Sequence, residues 1–195
     1  SLVGSEMCIR DRNYIYLGLQ NQRVADGDNY LTKGVDVQVR QHGGNVGIFT
    51  AQLEQNLQFG ILHWNSRLTY QKSGDEEVIA LPALNIYTNL FLRFKIARVL
   101  QCDLGGDLRW FTKYYAPEYI PGLSAFGMQE TADSKTKVGG YPLANVYANF
   151  NLKHTRFFVM MSHINASSGG DYFLTPHYPL NGRIFRFGVS WNFFN

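Results

Sequence analysis

Ser162-His163 sets a nucleophile beside a base, the pairing that acyl transfer uses. The residues around it read as a strand, and neighbours on one strand point to opposite faces, so these two side chains cannot meet there. His163 is read as a rim histidine that caps the strand. His42, His63, His154 and His177 fall on separate segments and show no metal-ligand spacing. Asp26-Gly-Asp-Asn29 begins like a calcium loop but lacks the later ligands and the closing Glu, and it reads as a turn. Asn165-Ala-Ser167 is a glycosylation acceptor only in a eukaryotic secretory setting. Gly105-Gly106, Gly139-Gly140 and Gly169-Gly170 suit bulges and loop bends, not phosphate cradles. No catalytic residue, cofactor site or metal site emerges.

The side chains that could act on a solute are charged ones that recur at every second position. Arg40, Arg67, Arg93, Lys95, Arg109, Lys113, Lys153 and Arg186 fall on one face of their segments, together with Asp36, Glu54 and Asp107. A passage lined by one dominant sign biases which ions enter. These residues are therefore the candidate lining of a pore with mild anion preference. The competing reading is that further strands neutralise them.

Positioning such a lining takes strands with one apolar face. The last strand is the plainest: Phe185, Phe187, Val189, Trp191 and Phe193 alternate with Arg186, Gly188, Ser190 and Asn192. Leu62, Trp64, Ser66, Leu68 and Tyr70 alternate with His63, Asn65, Arg67, Thr69 and Gln71. The same period runs through 35–40, 48–54, 85–95, 104–111 and 145–153. For 156–165 the row Phe157, Val159, Met161 is preferred as the outer one over Phe158, Met160, Ile164. With 14–21 this makes about nine strands, each near the ~9–11 residues needed to cross a bilayer at a tilt. An Arg or Lys on a lipid-facing position near the midplane costs roughly 2–4 kcal/mol, enough to enforce the sorting. Possible girdle aromatics are Tyr70, Trp110 and Tyr114 at one interface and Phe94, Trp191 and Phe193 at the other.

The composition agrees with a barrel wall. Aromatics make up 15% and charged residues only 17%, against about 25% charged in soluble domains. No run of about 18 apolar residues supplies a membrane helix, and the mean hydropathy of −0.20 suits strands of which half face water. A net charge of +3 with no basic stripe argues against nucleic acid as a partner. Residues 1–12 resemble a translated sequencing adapter and are set apart as non-native, leaving 13–195 as the C-terminal part of one barrel domain, with a signal peptide expected upstream. Cys102 is then the lone native cysteine. Connections near 57–60, 95–98 and 153–156 are short, whereas 73–82, 114–141 and 167–182 are long; short inner turns and long outer loops are the asymmetry of outer-membrane barrels. Upstream the rule weakens, at the tight Gly43-Gly44 and the long 22–32. The 114–141 segment is read as an outer cover in preference to an inward constriction.

Tyr114-Tyr-Ala-Pro-Glu-Tyr-Ile-Pro121, Gly140-Tyr-Pro-Leu-Ala-Asn-Val-Tyr-Ala-Asn-Phe-Asn-Leu-Lys153, Ser162-His-Ile-Asn165 and Tyr172-Phe-Leu-Thr-Pro-His-Tyr-Pro179 resemble the C-terminal part of the putative porin family of Gram-negative outer membranes. The resemblance implies an all-β, antiparallel up-and-down transmembrane β-barrel that passes small hydrophilic solutes. Its implied partners are outer-membrane lipid and the barrel-assembly machinery, with a homo-oligomer left open. The chain ends in Asn195 where such barrels commonly end in Phe. Two other classes remain: a barrel acting as receptor or as the end of a plug-gated transporter, and a soluble all-β carbohydrate-binding module whose aromatic stripes pack between sheets. An enzyme has least support.

Overall fold

A computed structural model describes residues 2–9, 14–25, 31–130, 135–166 and 172–192. The calcium-like Asp26–Asn29, Ser167 of the glycosylation triplet, Gly169-Gly170 and the lipid-face residue Phe193 lie outside the described residues. All nine segments with period-two alternation form strands: β2 (Tyr14–Ala25), β3 (Leu31–His42), β4 (Val46–Phe59), β5 (Leu62–Ser73), β6 (Leu84–Ile96), β7 (Leu100–Phe111), β10 (Leu143–Leu152), β11 (Thr155–Ser162) and β14 (Ile184–Trp191). Shorter strands join them: β1 (Leu2–Ile9), β8 (Glu118–Ile120), β9 (Ala125–Gln129), β12 (Phe173–Thr175) and β13 (Tyr178–Pro179). Among the described residues no helix is long and apolar enough to cross a membrane, which says nothing of strands.

Strands β4, β5, β6, β7, β10, β11 and β14 form an antiparallel up-and-down run within an eight-stranded sheet completed by β1. The register aligns the apolar sets across it. Leu57, Trp64, Leu90, Gly106, Val146, Met161 and Phe185 lie in one cross-strand row. Val159 pairs with Phe187 and Phe157 with Val189, so the preferred outer row of 156–161 shares a face with the C-terminal aromatics. Lys72 breaks the sorting: it pairs with Phe49, next to the last residue of β5.

The ends differ as the sequence suggests. Turns at Gly60-Ile61, Ala97–Val99 and Lys153-His154 are short, and Trp191 pairs with Thr155 at that same end. Ala97 and Arg98 both take positive φ, of 48° and 63°, the backbone hand that matches a tight hairpin to strand twist. Residues 74–83, 112–142 and 163–183 connect strands at the other end.

The single wall of about nine strands is not what forms, and among the described residues no sheet closes into a barrel. Residues 2–9 occupy the edge of β4, while β2 and β3 form a separate four-stranded sheet in the order β3-β2-β9-β8. An exposed strand edge accepts any strand that can satisfy its N–H and C=O groups, and only one neighbour can hold that side of β4. The strands β2 and β3 are also longer than the alternation indicated, which shortens the long connection expected at 22–32 to residues 26–30.

Candidate solute-facing wall and outer cavity

The charged face of the eight-stranded sheet is built by the residues between the apolar rows. Glu54 pairs with Arg67, Tyr87 with Arg109 and Arg93 with Asp103 in the register. Arg67 Nε lies 2.6 Å from Glu54 Oε1. Arg93 grips Asp103 with both Nε and Nη2, at 2.8 and 2.9 Å, the two-pronged geometry that makes guanidinium–carboxylate pairs strong. Asp107 accepts 2.9 Å from Asn145 Nδ2, and Arg109 Nε stands 3.9 Å from the same carboxylate while its guanidinium lies over the Tyr87 ring. Thus each wall acid sits against an arginine.

Two glycines allow close approach on this face, of the neighbouring backbone at Gly105 and of an aromatic ring at Gly188. Gly105 stands between Phe91 and Tyr147 in the register, and a Cβ there would run into Phe91. Tyr147 reaches across β7 instead, and its hydroxyl donates 2.9 Å to Asn89 Oδ1. At Gly188 it is the Phe158 ring that lies over the backbone. Ring-over-glycine contacts of this kind cover the backbone and let the sheet bend.

The expected lining residues divide as follows. Glu54, Arg67, Arg93, Lys95, Asp107, Arg109 and Arg186 all lie on the charged face. Arg40 and Asp36 do not belong to this wall: they sit on β3 in the other sheet, where Arg40 holds Glu130 at 3.0 Å. Lys153 is in the β10–β11 turn with φ 48°, below the wall. Lys113 lies two residues past β7, in the outer connection. Phe185, Phe187, Val189 and Trp191 occupy the opposite, apolar face, and all are exposed.

Sequence reasoning missed Asp103 and Arg156. The alternation was started at Leu104, one residue too late for Asp103. Arg156 stayed hidden because β11 is apolar on both faces, its inner Phe158 and Met160 serving to cover Gly188 and the wall. With these, the wall carries Arg67, Arg93, Lys95, Arg109, Arg156 and Arg186 against Glu54, Asp103 and Asp107.

The outer connections fold back over this face. Tyr114 and Val138 exchange two backbone hydrogen bonds of 3.0 Å, and Gly140 N donates 2.7 Å to Phe111 O. Gly139 and Gly140 take φ of 99° and 77°, and a side chain at either would strike Phe111 or Lys113. Buried Tyr141 stacks on Tyr172 with ring centroids 3.3 Å apart and brings its hydroxyl 2.8 Å from His163 Nε2 and 2.9 Å from Asn165 O. His163 Nδ1 is 2.7 Å from Asn181 O, and its backbone N–H donates to Asn145 Oδ1. Both ring nitrogens of His163 are therefore engaged in holding two loops to the strand ends, in keeping with a rim role and not with a base beside Ser162. Under these loops lies a cavity of about 870 Å³, lined by Arg67, Arg109, Lys113, Lys137, Tyr87 and Tyr172 among others. The end of the long connection, 137–141, thus lies over the wall at the strand ends.

A family model described as a putative porin matches residues 10–195, beginning just past β1. No curated protein and no solved structure matched the chain. With an antiparallel all-β structure and a family match over nearly its whole length, the chain belongs to the putative porin family.

Proposed function

We propose that the protein is an outer-membrane channel of a Gram-negative bacterium that lets small hydrophilic solutes diffuse passively, with mild preference for anions. The observation that carries this reading is the sorting of seven consecutive antiparallel strands into one apolar and one charged face. An apolar solvent outside the sheet and water inside account for why Phe, Leu, Val and Trp share the unpartnered face while each wall charge lies on the other. Trp64 supports it: its indole N–H donates 2.8 Å to Thr88 Oγ1 on the apolar face, so both polar groups are satisfied where lipid offers no partner.

The apolar face then contacts outer-membrane lipid, and the barrel-assembly machinery is the expected insertion partner. Closure into a barrel requires further pairing at the free edges of the sheet, because an unpaired edge is costly in hydrocarbon. On the wall, the three acids sit against Arg67, Arg93 and Arg109, and Lys95, Arg156 and Arg186 leave a positive excess that raises the local concentration of anions.

The test is conductance of the complete native protein in planar bilayers under a salt gradient. Steady ohmic openings with a reversal potential displaced toward that of chloride are expected. Silent insertion rejects the channel; a potential displaced toward the cation rejects the anion preference.

A further inference from the structure

We infer that the cavity beneath the outer connections is a binding site for a small organic anion, a carboxylate or phosphate carried on a hydroxylated ring, which is held there before passage. The inference rests on the channel reading and names the substrate class of its outer mouth.

Four cations line this space, Arg67, Arg109, Lys113 and Lys137, and no acid does among the described residues. They come from separate elements. Arg67 and Arg109 project from β5 and β7, while Lys113 and Lys137 flank the Tyr114–Val138 bridge. Lys137 carries its ammonium over the exposed Tyr115 ring, 4.9 Å from the centroid, so it adds its charge from the edge of the space, and the summed positive potential of the lining favours an anion there. The wall acids offset this only in part. Glu54 is met through Nε of Arg67, and Asp107 lies 3.9 Å from Arg109, beyond hydrogen-bond reach. Arg109 is held instead over the Tyr87 ring, 5.4 Å from its centroid, which fixes the direction of its donors without consuming them.

The rest of the lining argues for a ring with hydroxyls and not a bare ion. Thr69, Asn85 and Tyr87 offer hydrogen-bonding groups, while Phe111, Leu174 and Leu180 supply apolar surface. Apolar walls with a few placed polar groups, in a volume of roughly 300–1,000 Å³, are the make-up of small-molecule sites. A monatomic anion would use neither the apolar surface nor the volume. The site is also built, not incidental: the Tyr141–Tyr172 stack and the His163 hydrogen bonds hold its roof against the strand ends.

The complete native protein is tested in two ways with glucose, glucose 6-phosphate and galacturonate as probes. Open-channel current in planar bilayers reports block, and calorimetry in detergent reports binding without requiring conduction. At least one of the two anionic sugars is expected to bind and to reduce the current, with glucose about tenfold weaker; whichever anion dominates assigns phosphate or carboxylate. The double variant Lys113→Gln/Lys137→Gln should weaken both signals about tenfold, equivalent to about 1.4 kcal/mol. Arg98→Gln, which removes a cation at the opposite end of the strands, should leave them unchanged. Conduction with no calorimetric binding of either anion, or with glucose binding equally well, overturns the site and leaves the channel standing. Binding without conduction overturns the channel and leaves the site.

Discussion

Ala148 and Asn149 are neighbours on β10 whose register positions lie on opposite faces, Ala148 between Leu104 and Val159 and Asn149 between Asp103 and Phe158. The account therefore assigns them opposite responses to the same substitution. Ala148→Arg should cost roughly 2–4 kcal/mol and block assembly, whereas Asn149→Arg, which loses the exposed hydrogen bond from Arg156 Nη2 but keeps its charge on the charged face, should still assemble. Heat-dependent migration on gels and denaturant titration of the folded protein measure both. Equal effects at the two positions would contradict the facing. Glu130 is a second residue with a defined response. Its carboxyl is held below the ordinary carboxylate range, first by the hydrogen bond from Arg40, then with help from Gln20, against an opposing effect of burial. A carboxyl with a lowered folded value stabilises the structure fully above its unfolded value of about 4.3 and loses that contribution as pH falls through the folded one. The protection factors of the 125–130 amides, of which Glu130 N–H donates to Leu19 O, corrected for the intrinsic pH dependence of exchange, should hold above about pH 4.3 and fall below it. Glu130→Gln should abolish that dependence. Loosening already at pH 6 would point to another group.

The strand elements were legible from sequence because a sheet with one apolar and one charged face imposes a two-residue period that no loop shares. Leu62–Tyr70 and Phe185–Trp191 announce both their conformation and their apolar face. Partner choice was not legible, since any strand can satisfy an edge. The join of β3 and β4 shows what that costs. A three-residue connection at 43–45 would place Val39 opposite Phe49, Val37 opposite Ala51 and Val35 opposite Leu53, apolar against apolar along the whole pair. Instead β1 holds that edge in a register that sets Glu6 opposite Phe49. The better match predicts that without residues 1–12, β3 takes the place of β1. Cysteines introduced at Gln38 and Thr50 should then oxidise to a disulfide in the shortened chain and not in the longer one. Since Arg40 would leave Glu130, the acid response of the 125–130 amides should vanish with it. No disulfide in the shortened chain would contradict the proposed pairing. The outer cavity was equally illegible. Lys113 could be named from its strand, but Lys137, Tyr141 and Tyr172 come together only through a fold-back of the connections, which leaves no local period to read.

At the scale of the whole molecule, a charged wall, an apolar outside, short turns at one end and a roofed cationic cavity at the other form one arrangement. Under the proposed channel function, each part takes its meaning from a solvent boundary running along the strands. That boundary can be mapped directly. Nitroxide labels placed singly from 184 to 191 in the complete protein, reconstituted in lipid, report collisions with oxygen, which concentrates in hydrocarbon, and with a water-soluble nickel chelate. The account predicts oxygen-dominated relaxation at 185, 187, 189 and 191 and chelate-dominated relaxation at 184, 186, 188 and 190. Uniform access along the strand, or protection of both rows from both reagents, would contradict it.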